Sequence, residues 1–186
     1  MWRRILMRVT DRLPAREIKG PDGEPYLERY YVGHLFGWTF YLHRFLAADP
    51  GRGLHDHPWD VSVSLVLSGG YYETRLRRID CTGIHTRRRR LWPGRLNIIR
   101  ADDFHRVDLD TWDAGSWTLF ATHRRLPRKR LGFLQQEMIS GDEDIVVRFM
   151  QHYGRSEPNW QRTAPTGREL RRQQNARQGF RASDTH

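Results

Sequence analysis

His55 and His57 stand one residue apart in the run "GLHDHPWD", with Asp56 between them and Pro58 directly after. On an extended chain, residues two apart point to the same face, so the two imidazoles can converge on one point as a metal-ligand pair must. A third ligand is required, and His105 in "RADDFHRV" is the best placed, after a turn and at the start of a later strand. Neutral imidazole binds iron, zinc, copper or nickel, so residue type alone does not name the metal. Without a metal, the same run reads as a surface His-Asp-His turn. Asp56 and Asp60 either accept hydrogen bonds from imidazole N–H groups or cap the turn around Pro58. Trp59, beside the histidines, is expected to touch the pocket.

These residues need strands to position them. Gly20, Pro21, Gly23 and Pro25 mark a turn after a first strand, and "FYLHRFLAADPGRG" reads as a strand closed by a turn at Asp49, Pro50 and Gly51. "VSVSLVLSGGYYETRLRRI" reads as a hairpin about Gly69-Gly70. Further short strands are expected at "RRRLWPG", "LNIIRA", "HRVDL" and "SWTLFATHR", a density that argues for a sandwich or barrel. Trp38, Trp92 and Trp117 lie within these patterns as expected core residues. In "DEDIVVRFMQHYG" the spacing of Ile145, Val146, Phe149 and Met150 behind an acidic start predicts a helix. Residues 154–186 are Arg- and Gln-rich and poor in large apolar side chains, which predicts a basic, loosely held tail, helical at most around Glu169 to Arg177. The expected organisation is one domain over 1–153 followed by that tail.

With 186 residues and 38% hydrophobic content, the chain can bury one real core. One cysteine, Cys81, excludes an internal disulfide framework and suits a reducing compartment, so a cytoplasmic location is expected. No apolar run reaches the roughly 20 residues of a membrane span, nor does "MWRRILMRVTDR" read as a signal peptide. Lys and Arg number 32 against 22 Asp and Glu, a net charge of +10. That balance suits anionic partners, though no nucleic-acid motif accompanies it, and Arg87 to Arg90 and Arg124 to Arg130 read most simply as solvated loop charges.

"HDH", followed twelve residues after His57 by Gly69 and then by Glu73 and Thr74, resembles the first motif of the cupins, with His105 at the histidine of the second. The resemblance covers roughly Tyr41 to Thr122 and implies an all-β, cupin-type jelly-roll barrel. Where cupins usually carry a metal-binding glutamate, seven residues before the glycine, this chain has Ser62. Cysteine-dioxygenase-like thiol dioxygenases also lack that glutamate and use three histidines, and the chain is most similar to them. The resemblance therefore implies iron(II) on His55, His57 and His105, with nickel, manganese or zinc as alternatives, and Ser62 is carried as a residue of the site. The family's Ser-x-His-x-Tyr run is absent, Thr118, Phe120 and Thr122 standing in its place. Arg44 in "YLHRF" is a stand-in for the family's carboxylate-binding arginine, or else a solvated strand arginine.

Three functions follow as expectations. The first is a mononuclear iron oxygenase acting with O₂ on a small anionic or peptide-borne substrate. The second is an isomerase or epimerase of an anionic sugar nucleotide with His55 or His105 as base. The third is a binding module whose basic tail docks nucleic acid or an acidic partner. Cupin-type pairing through strands makes a homodimer an expectation as well.

Overall fold

A computed structural model describes residues 2–51, 53–109, 115–127, 131–138, 145–151 and 159–183. Its described strands are β1 (Ala15–Lys19), β2 (Pro25–Leu35), β3 (Trp38–Phe45), β4 (Leu54–His55), β5 (Val61–Ser68) and β6 (Tyr71–Asp80), then β7 (Gly83–Leu91), β8 (Leu96–Arg100), β9 (His105–Asp108), β10 (Trp117–Thr122), β11 (Gly132–Met138) and β12 (Ile145–Gln151). They form two six-stranded antiparallel sheets, ordered β1-β2-β3-β10-β5-β8 and β12-β11-β4-β9-β6-β7. From β3 to β11 the chain alternates between the sheets, except at the β6-β7 hairpin. The result is a jelly-roll sandwich with a C-terminal helix.

Alternation along each strand sets which side chains face the second sheet. Leu27, Phe45, Val66, Tyr71, Leu91 and Val107 form the core between the sheets. The outer face of the first sheet is also covered. Leu6 of helix α1 (Trp2–Thr10) and Leu170 of helix α2 (Gly167–Ser183) pack there on Ala15, Tyr30, Leu42 and Trp117. Trp92, by contrast, is 50% exposed rather than core.

The helix expected over Ile145 to Met150 is strand β12, paired with β11 from Met138↔Ile145 to Gly132↔Gln151. Three consecutive β-branched residues, Ile145, Val146 and Val147, favour the extended chain, and the open edge of β11 supplies the hydrogen bonds. The acidic run Asp142 to Asp144 and the boundary near Gly154 lie outside the described residues.

The described part of the tail is held more tightly than its composition suggests. Helix α2 opens with a reciprocal cap, in which the Glu169 carboxylate accepts from the Thr166 N–H at 2.8 Å and the Thr166 Oγ1 accepts from the Glu169 N–H at 3.4 Å. Leu170 is buried, Arg171 donates to the Tyr30 hydroxyl at 3.0 Å, and Gln174 donates to Glu17 and Glu28 at 2.9 Å each. Arg168 and Arg171 pair with Asp11, and Arg177 with Glu17. One buried leucine and a row of ion pairs dock a helix that has little apolar surface of its own.

Candidate metal centre

The two-residue strand β4 brings the histidines into the interior. It lies between β9 and β11, with His55 opposite His105 on one side and Phe133 on the other. The approach depends on Gly53, which holds φ at +95° and where a Cβ would collide with the Leu134 carbonyl. Beyond His55, the Asp56 carboxylate accepts from the Gly132 N–H at 3.0 Å, and the Pro58 carbonyl accepts from the Leu126 N–H at 2.8 Å. These bonds fix the extended backbone that turns His57 to the same side as His55.

The three imidazoles meet there. Ring centroids lie 5.1 Å apart for His55 and His57, 4.7 Å for His55 and His105, and 5.0 Å for His57 and His105. One nitrogen from each falls within 4.8 Å of the others, and Nε2 of His57 lies 2.8 Å from Nε2 of His105. Two nitrogens bound at right angles, each about 2.0–2.1 Å from a common ion, stand about 3 Å apart, so this spacing suits a shared first-row metal. Burial holds His55 and His57 well below the ordinary imidazole pKa, with the charge of His105 as a second cause. Neutral imidazole is the ligand form.

Carboxylates behind the rings orient them. Glu73 Oε1 lies 3.1 Å from His105 Nδ1, a hydrogen bond that leaves the Nε2 lone pair aimed at the other two histidines. Glu73 is fully buried and accepts further bonds from Asn97 at 2.7 Å, Arg75 at 3.0 Å and Arg89 at 2.8 Å. Burial opposes its charge, yet the bonds from His105 and Asn97 and the nearby Arg75 hold the carboxyl far below its usual range. Asp49 Oδ2 lies 3.6 Å from His55 Nδ1 and accepts from the Val107 N–H at 2.7 Å; burial pushes its pKa up to about 6. The acceptors expected from sequence do other work. Asp56 binds the Gly132 backbone, and Asp60 binds His123 Nδ1 at 2.9 Å and the Val61 N–H at 2.7 Å.

The triad lines a cavity of about 370 Å³ whose walls are largely apolar: Tyr26, Phe45, Trp59, Phe120, Leu131 and Phe133. Trp59 stands where the sequence puts it, stacked on His57 at 5.8 Å and edge-on to Phe120 at 6.1 Å. Ser62 faces the same interior, and its buried hydroxyl has no hydrogen-bond partner among the described residues, but Ser64 lines the cavity and Ser62 does not. Arg44 is not brought to the site. On β3 the inward positions belong to His43 and Phe45, so Arg44 points to the opposite face, where it pairs with Glu28 at 3.2 Å. Of the neighbouring histidines, His43 lines the cavity, while His34 is exposed and bonded to Thr39.

The cavity contains an arginine that sequence reasoning passed over. Arg29 on β2 lines it and donates from Nε to His43 Nε2 at 2.9 Å. The signal was the alternation Leu27, Arg29, Tyr31 against Glu28, Tyr30, but with both sets mixed in polarity the strand shows no inward face.

No family model matches the chain, and no curated protein does. Among solved structures, iron(II) HppE in complex with substrate superposes with a TM-score of 0.47 at 9% identity, over 61% of this chain and 57% of that one. DMSP lyase DddQ from Ruegeria pomeroyi DSS-3 gives a TM-score of 0.46 at 16% identity, over 63% of this chain and 59% of that one. KdgF from Halomonas sp. gives 0.43 at 19% identity, over 60% and 86%. The matched region thus spans less than two thirds of the HppE and DddQ chains.

Proposed function

We propose that the chain is a mononuclear metal enzyme in which His55, His57 and His105 hold one iron(II) ion, and that it oxidises a small anionic or peptide-borne substrate with O₂. The observation behind this reading is the convergence of three imidazole nitrogens in the wall of a mostly apolar cavity. Bound there by three neutral ligands, iron(II) would keep its full charge and three further positions, supplying Lewis acidity and one-electron chemistry towards dioxygen.

The protein's own groups do the rest. Glu73, clamped by Arg75, Arg89 and Asn97, fixes the tautomer and angle of His105. Trp59, Phe120 and Phe133 give the reacting centre apolar walls, beside which each polar contact is stronger than in open water. A cavity of about 370 Å³ admits a small organic molecule or the end of a peptide.

The test is metal content per chain by mass spectrometry after anaerobic loading with iron(II) and desalting, for the wild type and His105→Ala. Near-stoichiometric iron in the wild type, lost in the variant, is the expected result; oxygen consumption in a substrate screen then follows. A folded wild type that retains no metal overturns the reading. Retention of zinc, nickel or manganese in preference to iron leaves the site but removes the oxygenase.

A further inference from the structure

The cluster beneath α1 and α2 covers only part of the outer face of the first sheet. Beyond it, Leu119 of β10, Leu65 of β5 and Leu96 of β8 stand side by side in one row. Phe40 of β3, Ala121, Val63 and Ile98 form the next. The alternate residues of these strands, among them Ser64, Val66, Ile99 and Phe120, face the second sheet, so both rows point outward. Leu96 is 61% exposed and Ile98 55%. No ionisable side chain stands in either row, although the chain carries 32 Lys and Arg. The outward positions of the second sheet suit water instead, with Thr74, Arg88, Arg106 and Asp108. Helix α1 borders the bare rows, since Leu119 packs against the cluster that holds Leu6. Its exposed Trp2, Ile5 and Val9, at i, i+3 and i+7, share one stripe on the flank away from α2, whose Arg171 donates to the Met7 carbonyl.

We propose that this face is the contact between two copies of the chain, packed sheet against sheet about a twofold axis. With Trp2, Ile5 and Val9 the two rows expose on the order of 700 Å² per copy, close to the roughly 800 Å² per partner of a stable interface of ordinary size. A lone soluble chain rarely leaves so large an apolar patch in water. Absence of charge with aromatic and aliphatic enrichment is the composition of an interface core. A surface without charge has no pattern to select a different partner and none to reject its own copy. Two pleated faces of this kind interdigitate as the layers of a β-sandwich do, and the twofold axis lets one set of residues supply both sides.

Sedimentation velocity of the full chain over a dilution series tests this. The wild type should run at twice its mass of 22.2 kDa. Ile98→Arg buries an unpaired charge twice over, once from each copy, and should weaken the dimer by at least about 100-fold with an unchanged far-UV circular dichroism spectrum. Ile79→Arg, an equally exposed isoleucine at the end of β6 in the second sheet, should leave the dimer intact. Should Ile98→Arg fail to fold, Leu96→Arg places the same charge at the more exposed position of the neighbouring row. A monomeric wild type overturns the proposal, as does a dimer that survives in whichever of these two variants folds, or one lost equally in Ile79→Arg. Vesicles of phosphatidylcholine and phosphatidylserine supply the remaining arm: a monomer that floats with them, and ceases to do so in Ile98→Arg, gives the face to a lipid surface and removes the dimer.

Discussion

Glu73 shows how one side chain can govern a site it does not enter. Its carboxylate touches His105 on the face away from the cavity, and two arginines and an asparagine hold it still. Glu73→Gln keeps the size of the side chain and removes the charge, so metal affinity should fall by about 10- to 100-fold, read by competition with a chelator, with little change in far-UV circular dichroism. Unchanged affinity would mean that Glu73 only stabilises the barrel. The spacing of Glu73 from Gly69 is visible in sequence, but its partnership with His105, 32 residues away, is not. Arg44 teaches the converse lesson: its residue type suits an anion receptor, but the parity of strand β3 turns it outward, and the arginine that lines the cavity is Arg29 on β2.

Among the elements, β4 is the one on which the site depends most. It is two residues long, and Gly53 admits it to the gap beside β11. Gly53→Ala should destabilise the protein by about 2 kcal/mol or more, because backbone strain at positive φ adds to a collision with the Leu134 carbonyl. Gly94→Ala supplies the comparison, since Gly94 also has positive φ but faces open space and should cost only about 1 kcal/mol. Thermal melts of the two variants measure the difference; equal losses would show that the close approach of β11 does not matter. Helix α2 is the second element whose importance is hidden by its composition. Leu170→Ala should cost about 2–5 kcal/mol, as a buried leucine in a mixed core does, whereas a loosely held tail would lose nothing. Thr166-x-x-Glu169 is a capping box readable in advance, but the face on which Leu170 lands belongs to the first sheet.

Across the whole molecule, the interior keeps three histidines neutral. Burial lowers His43, His55 and His57 well below the ordinary imidazole value of 6.5. Below that pH the unfolded chain binds protons that the native state refuses, so stability falls with pH. Asp49 works the other way: with a native value of about 6 against 3.8 unfolded, it takes up a proton in the folded state and offsets one histidine. Three protons against one leave a slope of at most about 3 kcal/mol per pH unit, developing below pH 6.5. The melting temperature of the metal-free protein should therefore drop steeply between pH 7 and 5, and a metal that binds the triad should deepen the drop, because protons then compete with it. A flat profile would show that the histidines are reached by water. Part of the positive charge is paired within the chain, where Arg168, Arg171 and Arg177 fasten α2 to Asp11 and Glu17 at the surface of the first sheet.

The residue types and their local order determined a great deal alone: short strands separated by Gly and Pro turns, two histidines on one face of an extended run, and a third at the start of a later strand. Those are properties of neighbours along the chain, set by side-chain alternation and turn chemistry over a few residues. The partner of each ligand, the arginine that faces the cavity and the use of β12 and α2 were decided by tertiary structure. They depend on register between strands far apart in sequence, and a shift of one residue would exchange Arg29 for Glu28, and His43 for Arg44.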